Sequence, residues 1–544
     1  MHHLVDFGGG SSVWNDSQSY LSVGGWSYTM PILSVGNQTD LSYNDGTTLY
    51  TCSYNTGFVF FDPHGGTHAL PLTAAGQPQD NCNYFNITAY PQGGDDFYQA
   101  TIGTMTSSPI FVSDNSGTVY KFPNGLWTHG TQQAAIASVI EDRNGNQLTI
   151  DDNSNGSFDV TDTLQRKLLS SSGFGQTGNT VSVSGLSQPY TLTWANVSVG
   201  YTVDEALTFH PSGYCLGPSN LSETYAVVTA IQLPNGEQYT LSYDPTYGLI
   251  NKITYPTGGY VSYTWGINPA SEAAFWTDGY GNNNACYMRY GSVALQSRSV
   301  SYDGSSIALT QSFTYSTTWP SDGAYNWSSK KTTVTTTDMT RQGHPSFTKT
   351  YTYSPILAGS PPNTFDLIAS YVPVEQAVST TDWNGNSIAY VTKSWADQYT
   401  VSSITTNLNG MTRKSTYAYV PYTTIPMETD TYDFGNGSAG TLLGKQITNY
   451  ATLPTNPFGF NILDRPLNTM VFDGNGNRIA ETDYSYDESP LASVNQLPSG
   501  THDENNYSAN SSTGRGNATT IRRKCFTQYG PCADAVTTYS YDET

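Results

Sequence analysis

The sequence predicts an all-β repeat protein, and three observations predict it. Charged residues make up only 12% of the 544, while Tyr numbers 41 and Gly 51. A helical bundle needs Ala, Leu, Glu and Lys instead, and Tyr and Thr favour strands. An Asp-x-Asn-Gly-Asn pentapeptide recurs at 142–146, 382–386 and 473–477. A Tyr-Asp pair recurs at Tyr243, Tyr302, Tyr432, Tyr486 and Tyr541, often closing an alternating Tyr-x-Tyr run.

Each element has a physical reason. Asn-Gly admits the positive φ angles of a two-residue hairpin turn. The Asp two residues earlier accepts backbone N–H groups across that turn. Alternate strand residues share a face, so the tyrosines of 484–486, 351–353 and 417–419 line one side and Ser, Thr or Ala the other. Such a stripe reads as strand packing rather than as a ligand platform. One full unit runs from Asp464 to Glu488: strand, turn, strand, turn, with no room for a helix. An array of this kind stacks neighbour on neighbour and can curl into a tube or shell. Residues 1–130 carry few repeats and are expected to form an N-terminal β region or plug. Residues 131–544 are the array. Its Gly-, Ser- and Thr-rich stretches, such as 499–516, read as loops between strands.

These residues carry a family resemblance. The chain resembles the YD-repeat, or Rhs-repeat, proteins of bacteria, which are related to the shell domain of animal teneurins. The matching stretches are 119–166, 231–265, 464–488 and 514–542. In the first, Gln165 stands where the family's turn has Gly. The resemblance implies an antiparallel β-ribbon spiralling into a hollow cocoon that encloses a toxic domain or displays binding surfaces. The Asp-Pro-x-Gly form at Asp62–Gly65 sits far from the family's C-terminal cleavage segment and reads as a strand turn. The chain stops just after a Tyr-Asp pair, which fits the N-terminal part of a longer protein.

Composition excludes some partners. A net charge of -22 gives no basic footprint for nucleic acid, and no apolar run is long enough for a membrane span. The first ten residues lack a signal-peptide core. The overall make-up points to an extracellular or bacterial cell-surface location. Six cysteines, with no CxxC pair, suggest disulfides. Sequential pairing is expected: Cys52 with Cys82, Cys215 with Cys286, and Cys525 with Cys532. Other pairings stay open.

Candidate chemistry is sparse. Asp151, Asn153, Asn155, Asp159 and Asp162 fall at ligand positions of a twelve-residue calcium loop, with Gly156 at its tight turn, so calcium is the one cofactor to consider. The competing reading is a solvated Asn/Gly turn. His64 and His68 read as structural, and Asp95-Asp96 as a solvated acidic turn. No HExxH, GxSxG or Walker motif occurs; Ser346 to Lys349 matches SxxK by chance. Sequons such as Asn86, Asn196, Asn326 and Asn517 occur about as often as chance allows.

Three functions therefore compete. The first is a non-enzymatic, secreted or surface structural shell or tube, associating with itself or with a downstream part of the same polypeptide, and able to build filaments. The second is the encapsulating portion of an Rhs-type polymorphic toxin. The third is an adhesin with a cell-surface or carbohydrate ligand.

Overall fold

A computed structural model describes residues 3–6, 12–15, 22–28, 30–34, 38–75, 92–95, 97–102, 109–123, 134–153, 157–203, 205–209, 219–277, 285–320, 327–357, 371–494, 498, 502–526 and 532–544. The chain is almost entirely antiparallel β. Among the described residues, one sheet of 30 strands runs from Gln92–Gly94 to Ala535–Thr538, with strands following in chain order. It is a ribbon with two free edges, not a closed barrel. The only described helix is Glu504–Tyr507.

The sheets do not divide at residue 130. The ribbon begins before it, at Gln92, and the strand Ala134–Ile136 beyond it joins the N-terminal four-stranded sheet with Ile32–Ser34, Phe58–Phe61 and Thr67–Leu70. Phe58 and Phe60 of that sheet are fully buried with Tyr98, Val112, Tyr120 and Phe122 of the ribbon. An extended strap, with Trp26, Tyr28, Met30 and Ile32 at alternate positions, also lies on the ribbon. Tyr28, Met30 and Ile32 pack on Ile136, Ile150, Phe158 and Val160, and Trp26 donates to the Tyr243 hydroxyl at 2.9 Å.

The recurring pentapeptides are braced turns, but of a different type from the expected one. Only the glycine has positive φ: 91° at Gly145, 81° at Gly385 and 83° at Gly476. The glycine N–H donates to the Asp carbonyl, and the Asp N–H to the last Asn carbonyl. This is the three-residue loop with a left-handed residue at its third position, not a two-residue loop. One Asp oxygen accepts the N–H groups two and four residues on, and the other accepts the last Asn side chain. Asp62, Asp114 and Asp162 brace the same loop. At Asp162 the left-handed position is Gln165, with φ 58°. A side chain there costs roughly 1 kcal/mol. Gln165→Gly is therefore expected to raise stability by up to about 1 kcal/mol, read by denaturant unfolding. An unchanged or lower midpoint would contradict the assignment.

Tyr and Trp residues clamp the opposite strand ends. Tyr243 donates to the Val228 carbonyl at 2.5 Å, Tyr419 to Val401 at 3.0 Å, Tyr450 to Pro426 at 2.9 Å, Tyr486 to Pro466 at 2.6 Å and Tyr541 to Ala518 at 2.9 Å. The indoles of Trp265 and Trp395 do the same for Ile250 and Glu375. Most of these residues sit where the register shifts, as at Ser242/Tyr243 and Ser485/Tyr486. A bulge takes a carbonyl out of the ladder, and the aromatic donor satisfies it. Burial pushes the Tyr243 and Tyr486 phenols up to about 12, so both keep their protons.

Apart from the short strands Glu205–Phe209 and Gly435–Asn436, which pair with Ala285–Ser301 and Met411–Tyr419, each strand of the ribbon is antiparallel to the next, so its connections alternate between two rims. The braced turns at Asp114, Asp142, Asp162, Asp382 and Asp473 all fall on one, the turn rim. The aromatic clamps fall toward the other, the clamp rim. The two faces also differ. One carries in-register Thr314, Thr333, Thr350 and Ser379, with Thr333 and Thr350 hydroxyls 3.2 Å apart. The other carries Tyr315, Thr332, Tyr351 and Val378.

Candidate functional site: a seal between the two rims

The ribbon returns onto its own beginning. Loops on the clamp rim of the later strands meet turns on the turn rim of the first strands. Tyr399 packs edge-on against Phe97, with ring centroids 5.6 Å apart. Leu463 donates its N–H to the Asn115 carbonyl at 2.9 Å, and Phe458 packs on Phe111 and under the Lys121 ammonium. The third contact is the most buried and the most polar.

There, residues 502–517 and 541–544 close over the turn at Asp142. Arg515 is 1% exposed. Its Nη1 donates to the carbonyls of Asn144 at 2.9 Å and Glu543 at 2.7 Å. Its Nη2 donates to the carbonyls of Tyr507 and Ser508. His502 Nε2 faces the same two carbonyls, Asn144 at 2.9 Å and Glu543 at 3.1 Å, and so carries the proton it shares with them. Asn517 reaches the Asn144 side chain at 2.9 Å. The Glu543 carboxylate accepts the N–H groups of Val494 and Ala509. Asp487, of the Tyr486-Asp487 pair, accepts the N–H groups of Arg515, Gly516 and Asn517 and so shapes the segment that carries Arg515. Gly145 is indispensable, because a Cβ there would meet Tyr507 at 2.6 Å. Beside the seal lies a cleft of about 340 Å³ lined by Tyr486, Glu488, Ser512 and Tyr541 among others.

The ion pair of Lys121 with Glu141 sits under the seal. Glu141 is fully buried, 2.5 Å from the Lys121 ammonium, and desolvation raises its pKa.

The candidate calcium residues are placed differently from a single ligand loop. Gln147–Asp152 and Phe158–Thr161 are paired strands with Asp151 opposite Asp159. Asp159 pairs with Lys167 at 2.8 Å. Asp162 belongs to the next turn and binds Arg166. Asn153 closes the hairpin through Ser157, and Asn155 and Gly156 lie outside the described residues. Among the described residues no three His, Cys, Asp or Glu side chains converge on a metal position.

Cys525 and Cys532 form a disulfide, their Cα atoms 5.9 Å apart. Cys52 is disulfide-bonded. Cys82 and Cys215, and the side chain of Cys286, lie outside the described residues.

His68 and Asp95 do come together, with Asp62. His68 Nδ1 is 2.6 Å from Asp95 and Nε2 is 3.2 Å from Asp62. Burial alone would lower the His68 pKa, but the hydrogen bonds and charges of Asp95 and Asp62 outweigh it and raise the value. Its contribution to stability is complete below its ordinary value of 6.5 and is lost as pH rises through the raised one. Asp62 is held below 3.8, with burial opposed by the Gly66 N–H and His68, so its contribution is lost as pH falls through that lowered value. The thermal midpoint of the N-terminal sheet should therefore fall as pH rises above 6.5, and His68→Gln should flatten that slope. An equal slope in both proteins would contradict the triad.

No family profile matches the chain, and no curated protein matches it in sequence. Among solved structures, a crystal structure of TcdB2-TccC3 aligns with 97% of this chain and 32% of its own, at 9% identity and a TM-score of 0.31. A crystal structure of TcdB2-TccC3-TEV aligns with 92% and 27%, at 11% identity and a TM-score of 0.17. A porin-like protein from Bacteroides uniformis aligns with 62% of this chain and 94% of its own, at 12% identity and a TM-score of 0.14. The chain thus spans about a third of TcdB2-TccC3. Superpositions this loose carry no functional argument.

Proposed function

We propose that this chain is a non-enzymatic structural protein: a β-ribbon curled into one spiral turn whose seal makes it the wall of a hollow, secreted or surface-exposed shell. One observation carries this reading. Arg515 and His502 bind the carbonyl of Asn144, more than three hundred residues away, across the rims of a single ribbon. About twenty strands separate the meeting points, and at about 4.8 Å each they give a turn roughly 30 Å across.

The wall also suggests what it shields. The strap covers the face that holds Ile150, Val160 and Leu169. Register carries that face through Leu192, Ile231, Leu241, Ile253, Val261 and Val300 to Leu309 and Tyr315. Beyond Val261 buried apolar side chains become few. An extended polypeptide with apolar residues at every second position, like the strap, is the cargo this surface would accept. Electron microscopy of the purified chain tests the shell. Hollow particles of this width support it, and open ribbons overturn it.

A further inference from the structure

The exposed apolar side chains of the ribbon are not scattered. Beyond residue 160, all the large exposed ones among the described residues stand at or next to the turn rim, except Tyr390, Tyr399, Tyr422, Leu467 and Tyr539. Tyr302 is 72% exposed, Trp383 69% and Leu164 50%. Phe347, Leu408 and Met411 are also exposed there. Trp383 occupies the second position of a braced turn, where the equivalent residues are Arg143 and Gly474. Isolated exposed apolar residues need no explanation, but a row confined to one edge of a wall does.

The first part of this same rim is already an interface. Its turns at Asp95, Asp114 and Asp142 receive the clamp-rim loops of the later strands, as at the seal. The apolar row begins at Leu164, in the next braced turn along that rim, and continues to Val536. The surface that binds a clamp rim within the chain therefore runs on, unoccupied by described residues, along the rest of the spiral.

We propose that the uncovered turn rim docks the clamp rim of a second copy of this chain, so that copies stack head to tail along the spiral axis. A second copy fits because it offers the type of edge that the rim already binds. Such a contact is heterologous. Each added copy exposes a fresh turn rim, and growth is open-ended. Strand edges are not needed for it, since contact is between hairpin tips.

Sedimentation velocity across a series from micromolar to hundreds of micromolar, with electron microscopy of the top samples, tests this. Average mass should climb without a plateau, and fibres one particle wide should show the spiral repeat. Trp383→Glu and Leu408→Glu should each weaken association about tenfold or more. Both residues are exposed, so circular dichroism should show the variants folded. Leu49→Glu, at a 61% exposed site off the ribbon, should leave association unchanged. A monomer at all concentrations, a plateau at a dimer, or equal association of the rim variants would overturn the proposal.

Discussion

Arg515→Ala is expected to open the seal and cost roughly 3–5 kcal/mol. The guanidinium is buried and donates to four carbonyls from three parts of the chain. Removing it takes a donor from each of those acceptors in a place water reaches poorly. His502 still faces two of them and the Ser511 N–H still reaches Ser508, so the loss is partial at Asn144, Glu543 and Ser508 and complete only at Tyr507. Arg515→Lys keeps the charge but not the planar fork, and should fall between. Hydrogen exchange is the direct readout. Amides of 141–147 and 502–517 should exchange far faster in Arg515→Ala, while those of strands 329–357 should not. Unchanged protection at 141–147 would mean that the rims are not held by this residue.

The second large effect concerns the join between the N-terminal sheet and the ribbon. Phe60 has no exposed surface and packs its ring 4.9 Å from Tyr98, 5.2 Å from Tyr120 and 6.1 Å from Phe122. Phe60→Ala should cost roughly 3–5 kcal/mol, because the cavity falls between two sheets that can relax only by separating. The N-terminal sheet should then melt before the ribbon, giving two thermal transitions. A single cooperative transition shifted as a whole would show that the sheet and ribbon are one unit even without this ring.

Much of the fold was legible because its determinants are local. An Asp two residues before Asn-Gly braces a turn wherever it occurs, and Tyr-x-Tyr alternation marks a strand face. The turn type was not legible, since Asn-Gly serves two- and three-residue loops alike and the strand register decides between them. The tyrosines were expected to pack. Their hydroxyls also take the carbonyls freed at bulges, and a bulge leaves no signature in composition. The calcium spacing is met in the sequence, and in the structure Asp159 and Asp162 pair with Lys167 and Arg166. The seal was read as an interstrand loop because its partners lie far away along the chain. Its one local signal was a lone arginine between two glycines, Gly514 and Gly516, in a stretch otherwise rich in Ser and Asn.

The most direct test is a distance. Spin labels attached orthogonally at Leu164, on the turn rim one repeat past the seal, and at Ser512, within the closing segment, report whether the ribbon returns on itself. The spiral places them within roughly 30 Å, whereas a ribbon that runs on without curling would hold them roughly 90 Å apart. A single short-distance peak in the native chain, broadened by Arg515→Ala, is the predicted result. A long distance in the native chain would contradict the closed wall, and with it the proposed shell.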